Sequence, residues 1–139
     1  MGQSSEFSLD LRLEKQSLFV CKLELCELRM INDQNYPWFI LVPRLNNVRE
    51  IYELSEFSRG VLEREIFCIS KALAGHFNAF KTNIAALGNL VAQLHIHIII
   101  RYETDKSWPE PVWGKFPAAP YSRAQVQERV ETVRKLINS

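Results

Sequence analysis

Glycine, proline, cysteine and histidine are all scarce in this chain: 5, 6, 3 and 3 of 139 residues. So few glycines and prolines exclude collagen-like and low-complexity architectures. Charge of one sign is lacking too. Seventeen Lys and Arg stand against sixteen Asp and Glu, a net of +1. Such a balance offers no basic excess for a nucleic-acid backbone or an anionic membrane, so any anionic ligand must be met by local groups. Long apolar runs are missing as well, the stretches at 38–42 and 94–100 being far too short to span a bilayer. The first ten residues carry two acids and no base, and no apolar leader segment follows, so the expectation is a cytoplasmic protein. Cys21, Cys26 and Cys68 are an odd number without zinc-like spacing and are expected to be free core thiols.

What is present is a globular composition, 47% hydrophobic and 24% charged. One domain over residues 1–139 is expected, large enough to bury a core without disulfides or metal. Residues 18–31 alternate apolar and polar, the period of a half-buried strand, and the turn cluster Asn32-Asp33-Gln34-Asn35 leads into a second apolar run at 38–42. Together they read as a hairpin. Over residues 57–80 the apolar positions recur every three or four residues, which predicts one long amphipathic helix capped by Ser55 and ending near Lys81. A short strand at 83–87, a two-residue turn at Gly88-Asn89 and a strand from about 90 to 102 follow. The next stretch, to Tyr121, holds four of the six prolines with Trp108, Trp113 and Phe116, and is expected to pack against the body of the protein. Ser122-Arg123-Ala124-Gln125 is a capping box that opens a closing helix over about 122–138. The class is therefore α+β.

One segment concentrates chemistry. In Gln93-Leu94-His95-Ile96-His97-Ile98-Ile99-Ile100-Arg101, strand alternation sends Leu94, Ile96, Ile98 and Ile100 into the core and Gln93, His95, His97, Ile99 and Arg101 to the opposite face. Two imidazoles two residues apart suit three readings: a solvated strand face, a metal chelate, or phosphoryl chemistry with one imidazole as nucleophile. A metal site would want a third ligand, and the remaining histidine, His76, lies near the end of the long helix, where a surface cation is the simpler role. Arg44 and Arg101 read most simply as ion-pair residues, although Arg101 shares the His95 face.

The segment at 93–99 resembles the signature of the histidine triad (HIT) family, His-φ-His-φ-His-φ-φ, with Gln93 in the first histidine's place. Asn83-Ile84-Ala85-Ala86-Leu87-Gly88-Asn89 is similar to the family's approach to the triad, and Trp38-Phe39-Ile40-Leu41-Val42-Pro43-Arg44 to its early strand. Trp108-Pro109-Glu110-Pro111-Val112-Trp113-Gly114 resembles the tail of a bacterial hydrolase subgroup, so that the likeness spans roughly residues 10–120. The resemblance implies an antiparallel sheet of about five strands with one long helix and a C-terminal helix, and a homodimer. It implies a nucleotide hydrolase or transferase acting at the α-phosphate of a dinucleoside polyphosphate or nucleoside phosphoramidate, with no cofactor beyond magnesium carried by a polyphosphate. His95 would be the nucleophile, His97 and Gln93 its companions, and Asn89, Asn83, Asn32, Asp33 and Arg101 would meet substrate. Trp38 stands where the family has a histidine that buttresses the nucleophile. A nucleotide-binding module that has kept the pocket, and a His-x-His metalloprotein, are the other readings.

Overall fold

The computed structural model describes residues 6–139. Its elements run α1 (Leu11–Gln16), β1 (Ser17–Lys22), β2 (Cys26–Ile31), β3 (Trp38–Pro43), α2 (Glu56–His76), β4 (Lys81–Ala85), β5 (Ile96–Arg101) and α3 (Arg123–Asn138), with one 3-10 turn at Ile51–Glu53. The five strands form a single antiparallel sheet in the order β1-β2-β3-β5-β4. No helix among the described residues is long and apolar enough to cross a membrane.

Alternation gives the sheet two different faces. On one, Leu28, Met30, Phe39, Leu41, Ile96, Ile98 and Ile100 pack beneath Leu62, Ile69 and Leu73 of α2 and Val130 and Val133 of α3. Burying aliphatic side chains this completely contributes roughly 1.5–3 kcal/mol each, so this layer is the main source of stability. The other face is covered in two pieces. Leu13 of α1, with Phe7 and Leu9, lies over Ile40 and Val42, while Tyr36, Val112, Trp38 and Trp113 lie over Ile99. His95 and His97 occur on this second face.

Both helix starts agree with expectation, Ser55 Oγ accepting from Ser58 N and Ser122 from Gln125 N. Helix α2 stops earlier than its periodicity suggests. Asn78 takes a left-handed conformation (φ 52°) that turns the chain out of the helix, so Phe77 and Ala79 join the core from a turn. The alternating run at 18–31 is two strands, folded back at residues 23–25. Arg44 donates to the carbonyls of Leu23 and Glu24, and the Glu65 carboxylate accepts from Leu25 N and Cys26 N. Those partners lie about twenty and forty residues away, so local pattern carried no trace of this break. Helix α1 is too short to show a period, although Asp10 caps it, Oδ1 accepting from Arg12 N at 2.8 Å.

The expected two-residue turn at Gly88-Asn89 is instead part of a ten-residue connection, 86–95. Gly88 sits at φ +65°, where a side chain would be strained, and Leu94 N donates to Val48 O. β5 therefore begins at Ile96, and His95 stands at its threshold. Of the thiols, Cys21 and Cys26 are buried, Cys26 with its pKa pushed up chiefly by burial, but Cys68 is exposed on α2 rather than in the core.

Candidate functional site

The two imidazoles project from the same side of the chain with ring centroids 4.9 Å apart. They are not solvated: His95 is 6% and His97 7% exposed, at the floor of a groove of about 180 Å3. Leu13, Ile31, Leu87, Val91, Trp38 and Trp113 supply its apolar walls, and Asn89 lies at its rim.

Each ring has one nitrogen assigned by its neighbour. His95 Nδ1 is 2.7 Å from the carbonyl oxygen of Gln93. A carbonyl only accepts, so Nδ1 carries the proton and Nε2 keeps its lone pair. Trp38 Nε1 donates to His97 Nδ1 at 2.9 Å. An indole N–H only donates, so His97 must hold its proton on Nε2. Among the described residues neither Nε2 has a protein partner. The pair therefore presents one nucleophilic lone pair and one hydrogen-bond donor side by side.

Burial keeps both rings neutral. It pushes the His97 pKa down to about 3, with the neighbouring imidazole adding to the effect. His95 is lowered less completely: burial dominates, while the hydrogen bond to Gln93 and the Asp10 carboxylate act in the opposite direction. Trp38 makes its side-chain contact with His97 rather than His95. The tilted Trp38 ring and the edge-on Trp113 ring, with centroids 5.8 and 5.2 Å from that of His97, hold the imidazole on its remaining sides.

The other residues expected at the site are placed elsewhere. The Gln93 carboxamide is turned to the N-terminal segment, accepting from Asp10 N and donating to Ser8 O, both at 2.9 Å. Arg101 is 1% exposed and is consumed by an internal network. Its Nε and Nη2 pair with Asp105, Nη1 donates to Asn83 Oδ1, and Nη2 also reaches the Glu110 carbonyl. Asn83 is thus Arg101's partner. Asn32 Oδ1 accepts from Tyr121 N, and Asp33 Oδ1 accepts from Asn35 N and Ala119 N, so the turn before β3 clamps the segment leading to α3. None of these five lines the groove. Leu13 and Gln16 of α1 do, and no motif announced them. The only available signal was the apolar Phe7, Leu9 and Leu13 ahead of the first strand. Among the described residues no group of three or more His, Cys, Asp and Glu is placed to hold a metal ion.

The sheet thus carries its paired imidazoles at the start of β5, between β3 and the edge strand β4. The HIT domain matches residues 12–104, and the chain belongs to that family. Among solved structures it is 41% identical to a histidine triad protein from Bradyrhizobium japonicum, at a TM-score of 0.92 over 96% of this chain and 99% of that one. A histidine triad protein from Marinobacter aquaeolei is 40% identical, at 0.93 over 96% and 98%. The diadenosine triphosphate hydrolase of Plasmodium falciparum shares the fold at 18% identity and a TM-score of 0.60, over 99% of this chain and 87% of that one. Curated proteins gave no significant match.

Proposed function

We propose that the protein is a nucleotide hydrolase or transferase acting at the α-phosphorus of a nucleoside phosphate ester, anhydride or phosphoramidate. The observation that carries this reading is the pair of assigned tautomers. His95 Nε2 has a free lone pair, and His97 Nε2–H stands beside it in a largely apolar groove. Attack by Nε2 forms an N–P bond as the leaving group departs with the electron pair of the broken P–O or P–N bond. Water then attacks the same phosphorus, the N–P electrons return to Nε2, and a nucleoside monophosphate is released; the proton that water gives up replaces, through solvent, the one the leaving group took up as it departed. His97 donates to a phosphoryl oxygen throughout. Being neutral, it acts as a hydrogen-bond donor and not as a general acid. The apolar walls suit a base, Asn89 at the rim suits the phosphate, and Mg2+ enters only with a polyphosphate substrate.

The test is His95→Ala against wild type, on diadenosine polyphosphates and an adenosine phosphoramidate. Single-turnover release of monophosphate should fall by about 10⁴-fold or more, while monophosphate affinity changes little. Wild-type binding without turnover above the variant's background would leave a binding module in place of the hydrolase. We propose further that two chains pair. β4 is an edge strand, and Ile84 on it is 48% exposed, with Phe57 and Phe67 of α2 more so. Exposed apolar residues in that number normally mark an interface. Light scattering at micromolar concentration should give about twice 16.2 kDa.

A further inference from the structure

Gln93 fills the place of a histidine, yet its side chain meets neither imidazole. Its carboxamide pairs instead with two residues of one extended segment, the oxygen taking a proton from Asp10 N and the nitrogen giving one to Ser8 O. A carboxamide is a peptide group in miniature. It mates with the N–H and C=O of residues two apart as a neighbouring strand would. An imidazole, whose donor and acceptor diverge, cannot reproduce both contacts, and a carboxylate lacks the donor. Two further ties hold the same segment: Arg12 Nη1 donates to Leu90 O, and Ser8 N donates to Asn46 Oδ1. Residues 8–16 are thereby strapped across the 89–95 connection, bringing Leu13 and Gln16 to the groove wall.

We propose that Gln93 is a positioning residue for His95: its carboxamide binds the N-terminal strap to the connection while its own carbonyl holds the imidazole's Nδ1–H. The inference rests on His95 being the reacting group. It makes one residue the link between strap and nucleophile, so loosening the strap should release the ring from its tautomer. The strap also delivers a charge. Asp10, its carboxyl held below the usual range by Arg12, favours the cationic form of His95, the charge state an N-phosphorylated imidazolium carries. The other ionisable groups around that ring are His97, and Arg49 and Glu50, which line a recess of about 40 Å3 shared with His95.

The experiment compares full-length wild type with Gln93→Leu and Gln93→His. Amide exchange at residues 8–13 reports the strap, the 15N imidazole spectrum of His95 its tautomer, and adenosine phosphoramidate turnover its reactivity. In both variants strap amides should exchange about tenfold faster or more, and the two His95 nitrogens should move toward a tautomer average. Single-turnover rate should fall about tenfold, with adenosine monophosphate affinity changed by less than about threefold. A freed strap with an unmoved tautomer and rate would overturn the inference, as would a Gln93→His protein faster than wild type. Should the Gln93 variants not fold, Arg12→Ala cuts the tie at Leu90 and should shift the same observables less far. If no protein turns substrate over, the hydrolase reading falls, and the tautomer shift alone decides the role of Gln93.

Discussion

The two ends of one strand face carry opposite kinds of polar group. At the far end of β5, Arg101 and Asp105 are buried with their hydrogen-bonding capacity taken up inside the protein, Asp105 also accepting from Tyr102 N and Trp108 N. At the near end, His95 and His97 are almost as buried, but each keeps its Nε2 open to the groove. Those two nitrogens face the groove, free of any protein partner among the described residues, so an incoming group meets them without first breaking an internal hydrogen bond. On the proposed function, saturation marks architecture and the open nitrogens mark chemistry.

The sharpest way to break that comparison is to exchange the phenotypes. His95→Ala should lose turnover by the about 10⁴-fold given above, yet shift stability by only about 1 kcal/mol, the range of ordinary substitutions. Arg101→Met should do the reverse. It takes the cation from the Asp105 carboxylate, which is 3% exposed and keeps only its backbone N–H donors, and should cost about 2–4 kcal/mol in urea unfolding while activity per folded molecule stays within about twofold. Arg101→Met with normal stability would remove the architectural reading of that end.

Acid separates the ends next. Both imidazoles have folded pKa values below the unfolded value of about 6.5, so the unfolded chain takes up protons first. Their contribution is fully present above about pH 6.5 and is lost as pH falls toward the His97 value of about 3, by up to about 1.4 kcal/mol per pH unit for each differing proton. Burial acts to raise the Asp105 carboxyl, but its hydrogen bonds with Arg101 and nearby amides outweigh this and lower it. Its contribution is therefore present above about pH 4 and lost only below, as pH falls through the folded value. Urea midpoints at pH 7, 6 and 5 should decline in wild type and decline less in His97→Gln, while Arg101→Met, which removes the cation that lowers Asp105, should steepen the decline at the acid end.

The smallest expected effect is at Trp38. Trp38→Phe keeps an aromatic ring beside His97 and removes the N–H that assigns its tautomer. A neutral hydrogen bond contributes about 0.5–1.5 kcal/mol, so single-turnover rate should fall by about three- to tenfold. The 15N spectrum of His97 should show its proton shared between Nδ1 and Nε2. An unchanged spectrum would mean that something other than Trp38 sets the donor.

Much of this was legible in the order of residues. Alternation placed Leu94, Ile96, Ile98 and Ile100 in the core and both histidines on the other face, because a strand's side-chain period is two regardless of what surrounds it. Ser55 and Ser122 began the helices where their hydroxyls predicted, since a cap acts within three residues of itself. The HIT motif, read with one glutamine for a histidine, led to the family. Tertiary structure alone decided which polar residues stay open. Arg101 looked like His95 in pattern, and only the return of Asp105 and Asn83 to its side closed it. Gln93 looked like a triad member until residues 8 and 10, more than eighty positions away, met its carboxamide. Trp38 looked like a lost histidine until the β3–β5 pairing set its N–H against His97. A sequence determines which way a side chain points, but whether its hydrogen bonds are already taken depends on groups that only the folded chain brings within 3 Å.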